Sequence, residues 1–371
     1  MRCSSDTPYQ LFVGVDIAAM TATVAWQAPR QKPSKPITIE QTTEDFASLH
    51  QRLMKTGVTP EQTLVVLEAT GVYWLSLATF LSRQGYAVSV VNPTQAHHFA
   101  KALLKRAKTD AIDAQTLTEL AALLQPALWT PPPAIYEELE QRLTQRDALL
   151  LMRGQLRNQL HALGHLPVVV APVRQRMQAL DQTLTTQLAD IETELAALLP
   201  TEDLEAPEEG EPSLDCAWAL TVAKLQTIPG IGLLTALWIV VTTMNFTLCS
   251  SAEQAAAYAG LAPMPRESGT SMHKRPYIGH TGNRRLRTAL YLATLSAARH
   301  NPVIKPFYDR LRAAGKPAKV ARCAAARKLL HLAFAVGTNK EDFDPHYQPG
   351  SKQRWRNHSQ RNVIHLPERT C

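Results

Sequence analysis

Long apolar runs and paired cysteines are both scarce in this chain of 371 residues. No segment approaches the roughly 18 apolar residues that a membrane span requires. The polar opening MRCSSDTPYQ is not followed by the apolar block of an export signal. The five cysteines include no Cys-x-x-Cys pair, which argues against a zinc site and a disulfide framework. These absences predict a cytoplasmic protein that has no membrane partner.

Acidic residues are almost missing from one region and concentrated in another. Residues 261–330 contain fifteen Lys or Arg and only two acids, Glu267 and Asp309, whereas residues 186–215 contain ten acids and no Lys or Arg. The first region could hold a polyanion and the second would repel one. A basic block can equally be a solvated face, so charge alone leaves both interpretations open.

The chain is long enough for two or three buried cores, with 45% apolar residues. Its first part predicts three successive strands, then a helix, and then alternating strands and helices. The segments are YQLFVGVDI, TATVAW, KPITIE, EDFASLHQRLMKTG, QTLVVLEAT, YWLSLATFLSRQG and YAVSVVN, followed by a helical stretch with a break near Lys108. This element order predicts a ribonuclease H-like α/β domain over residues 1–130.

The rest of the chain is predicted to be mostly helical. Leucines at helical spacing and almost no glycine over 134–200 predict a long helical hairpin, an antiparallel coiled coil. Residues 201–215 have the acidic, proline-containing composition of a linker. A mostly helical domain is expected over 216–340, and the basic tail 341–371 has little apolar periodicity.

Four carboxylates are the candidates for chemistry in the first domain. Asp16 and Glu68 come near the carboxyl ends of two predicted strands, the edge where open α/β sheets place their sites. Asp110 and Asp113 share one face of a predicted helix. Four converging carboxylates need cations to neutralise them, and oxygen ligands suit Mg²⁺ or Mn²⁺. Each acid alone also fits a turn or a helix cap.

The second domain contains a candidate phosphate-binding turn and a serine in a basic stretch. LQTIPGIGLLTA is typical of a helix-hairpin-helix, in which Gly230 and Gly232 bring backbone N–H groups against a phosphate, although a plain helix connection fits as well. Ser268 is predicted in a loop, upstream of cations that could contact nucleic acid. These cations are Lys274, Arg275, Arg284, Arg285 and Arg287.

Nine blocks in order then resemble the DEDD transposases of the insertion-sequence 110 family, including its 1111 branch, and the related Piv invertases. They are GVDIA, LEATGVYW, VVNPTQAHHFAK, KTDAIDAQTLTELA, IPGIGLLTA, FTLCSSAEQAAAYAGLAP, ESGTS, GNRRLRTALYLA and ARKLLHLAFAV. The resemblance runs from about Leu11 to Val336.

This resemblance implies a site-specific DNA transposase or recombinase with a RuvC-like amino domain, acting in the bacterial cytoplasm at the nucleoid. By motif, Asp16, Glu68, Asp110 and Asp113 match the metal-binding tetrad, and Ser268 matches the nucleophile. The implied partners are donor and target DNA, a noncoding bridge RNA and further copies of the chain in a dimer or tetramer. One departure is DIAAMTATVAW, which lacks the lysine that the family usually has soon after its first aspartate.

Other function classes remain as alternatives. A non-catalytic nucleic-acid-binding scaffold would bind no metal at the carboxylates, and a metal-dependent structure-specific nuclease would use water in place of Ser268. An actin-like kinase would need a glycine-rich phosphate turn after Asp16, which DIAAMT does not provide.

Overall fold

The computed structural model describes residues 8–104, 109–199, 217–268, 272–279 and 281–346. The chain divides into two compact units, which meet in sequence between Pro131 and Pro132. The predicted linker 201–215, and the tail beyond residue 346, lie outside the described residues. No helix in the described ranges is long and apolar enough to cross a membrane.

The first unit is built on a five-stranded mixed sheet. Its strands are β1 (Leu11–Ile17), β2 (Thr21–Gln27), β3 (Ile37–Glu40), β4 (Thr63–Glu68) and β5 (Ala87–Val91). The spatial order is β3-β2-β1-β4-β5. The first three strands pair antiparallel, whereas β1 pairs with β4, and β4 with β5, in parallel. The predicted strands and the α/β class are confirmed; the specific likeness to RuvC stays a prediction.

Helices cover both faces of this sheet, which is why its central strands are apolar on both sides. They are α1 (Thr43–Met54), α2 (Leu75–Arg83), α3 (Pro93–Ala102) and α4 (Asp110–Leu124), with a short 3-10 helix at Pro60–Gln62. Val13 and Val15 face the side where α1 and α2 pack. Phe12 and Val66 face the other side, where Leu117 of α4 packs. The predicted helix break is confirmed, because α3 ends at Ala102 and α4 begins at Asp110.

The second unit begins with two long helices, α5 (Ala134–Leu163) and α6 (Ala171–Ala197). They lie side by side and antiparallel, since Arg146 forms an ion pair with Glu192 and Arg157 forms one with Asp181. The predicted helical hairpin is therefore present, while its coiled-coil packing remains a prediction. Tyr136 of α5 shares one apolar core with Trp218 and the helices that follow.

The remaining elements of the second unit are mostly helical, as the composition predicts. They are α7 (Ala217–Gln226), α8 (Leu233–Thr243), α9 (Ala252–Tyr258), α10 (Arg284–His300), α11 (Ile304–Ala313) and α12 (Ala318–Asn339), with a two-stranded hairpin of β6 (Met264–Ser268) and β7 (Met272–Tyr277). The helices enclose a core that includes Leu237, Leu290 and Leu329. The β6–β7 hairpin was not expected from the sequence, because its segments are short, polar and rich in charge.

Candidate active site

Asp16 and Glu68 lie at the same edge of the sheet. Parallel pairing sets Val15 of β1 beside Leu67 of β4, so the next residue on each strand is one of the two acids. Side chains alternate along a strand, so Asp16 shares a face with Phe12 and Gly14, and Glu68 shares a face with Val66. Phe12 and Val66 pack on the α4 side. Both carboxylates therefore face the side of the sheet that α4 covers, and both are half-buried.

Gly14 allows α4 to lie directly against β1. A Cβ atom at this position would clash with the backbone of Ala114 and Thr118 in α4. The Thr118 hydroxyl also donates to the carbonyl of Ala25 in β2, 3.0 Å away. The contact at Gly14 places α4 directly against β1, and Asp16 is only two residues further along this strand.

The first turn of α4 provides the other two acids. Asp113 directly precedes Ala114, which packs on Gly14, and it is half-buried, whereas Asp110 is exposed. The Oγ1 atom of Thr109 accepts a hydrogen bond from the Ile112 amide, at 3.3 Å, and thereby caps the helix. The alternative role for Asp110, as the helix cap, is thus wrong, since Thr109 occupies that position. The positive end of the helix dipole stabilises negative charge on carboxylates in this first turn.

We call Asp16, Glu68 and the first turn of α4 the carboxylate edge. Its four acids share one side of the sheet, but the side chains do not form a closed cluster. In the described part of the chain, no group of three or more His, Cys, Asp or Glu side chains is arranged to hold a metal ion. The Thr70 hydroxyl donates to Glu68 Oε1 at 3.4 Å, an interaction that the sequence pattern did not predict although Thr70 is only two residues away.

Ser268 is the last residue of β6, where it pairs with Met272 at the end of the β6–β7 hairpin. The prediction that Ser268 lies in a loop is wrong, because Ser268 is the last residue of β6 and pairs with Met272 of β7 across the turn. Lys274 and Arg275 lie on β7, and Lys274 pairs with Arg266 in the backbone register. Residues 269–271, which complete the ESGTS motif, lie outside the described residues.

The candidate arginines of α10 differ in their surroundings. Arg287 donates to the carbonyl oxygens of Thr281, at 2.8 Å, and Ala259, at 3.3 Å. Arg285 lies 3.6 Å from a carboxylate oxygen of Asp147, and its guanidinium is 5.0 Å from the ring centroid of Trp238. Burial raises the pKa of Asp147, while Arg285 and Arg146 lower it. Arg287 thus holds two loop segments of the second unit together, whereas Arg284 and Arg285 are exposed.

The predicted helix-hairpin-helix turn connects α7 to α8. Gly230 has a φ of +105°, and a Cβ there would lie 2.5 Å from the Cβ of Ala297 in α10. The buried Asn301 side chain donates to the Pro229 carbonyl at 3.0 Å, which fixes the turn against α10. Gly230 therefore has a packing role, which is compatible with a plain connection between helices, and its phosphate-binding role stays a prediction.

Gly232 stands at the exposed N-terminus of α8, beside a cavity of about 370 Å³. Its lining includes Glu192 of α6 together with Leu233, Leu234 and Thr235. Glu192 pairs with Arg146 at 2.6 Å. Because Arg146 offsets the charge of Glu192, the phosphate-binding role of Gly232 stays a prediction.

Comparison with known proteins gives a consistent picture across both units. Residues 13–166 match a family model described as a transposase, of the DEDD type of IS110 elements, and residues 222–309 match one described as the transposase IS116/IS110/IS902 family. A pilin gene-inverting protein of Moraxella bovis is 30% identical over 336 residues, which is 90% of this chain and 97% of that protein. A protein of the same name from Moraxella lacunata matches equally.

A shorter match has a higher sequence identity. An uncharacterized protein of insertion element IS110 from Streptomyces coelicolor is 37% identical over 112 residues, which is 30% of this chain and 27% of that protein. All four carboxylates lie inside the range of the first family model, and Ser268 lies inside the range of the second.

Proposed function

Because the chain belongs to the IS110 family of transposases, we propose that it cuts and exchanges DNA strands with Asp16, Glu68, Asp110 and Asp113 as its catalytic acids. The observation that carries this proposal is the carboxylate edge, where two parallel strands and one capped helix bring four acids to the same side of a sheet. Transposition and the gene inversion named in the Moraxella relatives both require such strand exchange.

The four acids fit a divalent cation by their chemistry, although not as a closed cluster. They offer only oxygen ligands, which suits Mg²⁺ or Mn²⁺. When bound, such ions supply charge neutralisation at the reacting phosphate. The acids of α4 sit on a helix whose start is fixed by Gly14, while Glu68 is held by Thr70. These contacts position α4 against the sheet and restrain one of the four carboxylates.

The first test neutralises one acid. Asp113→Asn should abolish metal-dependent cleavage of element-end DNA, because it removes the negative charge of one metal-binding carboxylate. It should leave DNA binding nearly unchanged. Glu44→Gln is the matched control, since Glu44 is also an acid in the first turn of a threonine-capped helix. Normal cleavage by Asp113→Asn in Mg²⁺ would show that the tetrad assignment is wrong.

Ser268 is the proposed nucleophile. Its hydroxyl oxygen would form a bond to phosphorus while the bond from phosphorus to the leaving DNA oxygen breaks, and the hydroxyl proton would pass to a nearby base. The energy of the phosphodiester is then conserved in a serine–DNA link. The support for this role is the resemblance of the ESG motif to that of the family, together with the position of Ser268 inside the range 222–309 of the second family model.

The second test looks for that link directly. A nicked suicide substrate should leave a nucleotide adduct on the peptide that contains Ser268, as detected by mass spectrometry after proteolysis. Ser268→Ala should form no adduct, whereas Ser296→Ala, which alters an exposed serine of α10, should react normally. Hydrolysed DNA with no adduct, or recombination by Ser268→Ala, would instead favour a metal-dependent nuclease that uses water.

We further propose that a noncoding bridge RNA directs the chain to donor and target DNA, and that the active form is a dimer or tetramer. Both proposals come from the resemblance of the sequence motifs to the family; base pairing would then read the sequence while the protein holds the backbones. Sequencing the RNA that copurifies with the protein should return one discrete species. Random fragments would favour an unguided recombinase or a scaffold.

A further inference from the structure

Two cations of the second unit converge on one phenylalanine ring. The Arg310 guanidinium carbon lies 5.5 Å from the ring centroid of Phe307, one turn earlier in α11. The Lys328 ammonium of α12 lies 4.8 Å from the same centroid. Each contact alone is an ordinary cation–π interaction. Two on one ring bring like charges together, which costs free energy unless an anion is near.

The chain does not provide that anion within the described residues. Neither Arg310 nor Lys328 forms an ion pair there. Asp309, the one acid in residues 268–330, is 2.7 Å from Lys305. The neighbouring Arg327 differs, because its charge interacts with the carboxylate of Glu253. Lys328 and Arg310 thus form a cationic cluster that has no counter-ion among the described residues.

The cluster is also held in place. Lys328 is half-buried, and this burial, together with the nearby Arg310, lowers the pKa of its ammonium. A freely solvated lysine would move away from the arginine, but Lys328 is half-buried against the ring that the exposed Arg310 also contacts. Such an arrangement is suited to an anion that arrives from outside.

We propose that Arg310 and Lys328 bind a backbone phosphate of the DNA on which the chain acts. This inference rests on the proposed function, which makes DNA the polyanion. Arginine supplies a planar donor pair for phosphate oxygens and lysine a compact charge. Phe307 contacts both cations. The cluster lies outside the residues predicted to contact nucleic acid from the sequence, which centre on α10 and β7.

The experiment measures binding without cleavage. Lys328→Met keeps the apolar stem over the ring and removes only the charge, and Arg310→Gln is combined with it. Binding to duplex DNA, followed in the Asp113→Asn background without divalent ions, should show a salt dependence weakened by about 1 in log–log slope for the pair, as expected for one phosphate contact, and by part of that for the single change. Lys305→Met is the control, because Lys305 is already paired with Asp309.

The results separate the possible roles. A purely structural cation–π pair predicts that Lys328→Met lowers the melting temperature and leaves the salt slope unchanged, which would overturn the proposal. An equal loss of slope in Lys305→Met, or a loss seen only with duplex RNA, would overturn it too. Failure of the unaltered chain to bind DNA would count against the proposed function. Unchanged slopes, together with normal cleavage by Lys328→Met in the otherwise unaltered chain, would count only against the phosphate site.

Discussion

At the scale of single residues, a missing side chain positions the carboxylate edge. Gly14 lies in β1 two residues before Asp16, where only a hydrogen atom separates the strand from the backbone of α4. The strand pattern LFVGVDI reads as apolar, so Gly14 has no obvious purpose until α4 is seen against it. Its role is to set the distance between strand and helix.

Gly14→Ala should therefore destabilise the first unit by about 1–3 kcal/mol, the usual cost of overpacking, and should reduce cleavage by displacing Asp110 and Asp113. Urea unfolding and a cleavage assay would measure both effects. Gly154→Ala is the control, because a Cβ in the middle of α5 meets nothing within 4 Å. Better helix propensity should make that variant more stable, by up to about 1 kcal/mol. Equal stability of the two variants would refute the close-approach argument.

At the scale of elements, a threonine cap determines where α4, the helix that carries two of the four acids, begins. Thr109 caps α4 and Thr42 caps α1, each by accepting a hydrogen bond from the amide three residues later. Only α4 carries candidate catalytic acids in its first turn. The same capping interaction thus stabilises both helices, and in α4 it also stabilises the turn that carries Asp110 and Asp113.

Thr109→Ala and Thr42→Ala should each cost about 1 kcal/mol of stability, measured by chemical unfolding. Cleavage should fall further in Thr109→Ala, because the first turn with Asp110 and Asp113 frays. A matched loss of activity in both variants would mean that stability alone, and not the position of the acids, limits the reaction.

At the scale of the whole molecule, each unit has its own buried tyrosine. Burial raises the pKa of Tyr86 in the first unit to about 12, and that of Tyr136 in the second unit to about 12. An unfolded tyrosine has a pKa of about 10. The folded state therefore holds the proton more tightly, so this stabilisation is complete below about pH 10 and is lost as the pH rises toward 12.

Tyr86→Phe should flatten the alkaline loss of stability in the first unit, and Tyr136→Phe should do so in the second. Unfolding by urea across this pH range, with tyrosinate absorbance as the titration signal, would show it. Tyr73→Phe removes a half-exposed tyrosine and serves as the control. An unchanged pH dependence in both buried variants would show that other groups govern alkaline unfolding.

Sequence alone determined the features that depend on short-range pattern. Period-two and helical apolar spacing located the strands and helices, and the order of motifs identified the family. The acids themselves were also visible, because Asp16 and Glu68 follow apolar runs and Asp110 and Asp113 are three residues apart.

Only the tertiary structure decided which residues share a surface, because that depends on register and on packing between distant segments. Parallel pairing of β1 with β4 brought Asp16 beside Glu68, and Gly14 brought α4 against them. Packing also turned Arg287 toward backbone carbonyls and brought Lys328 to the same ring as Arg310, an arrangement with no signature in the charge pattern. A local pattern specifies an element, but the neighbours of a side chain follow from contacts between residues far apart in sequence.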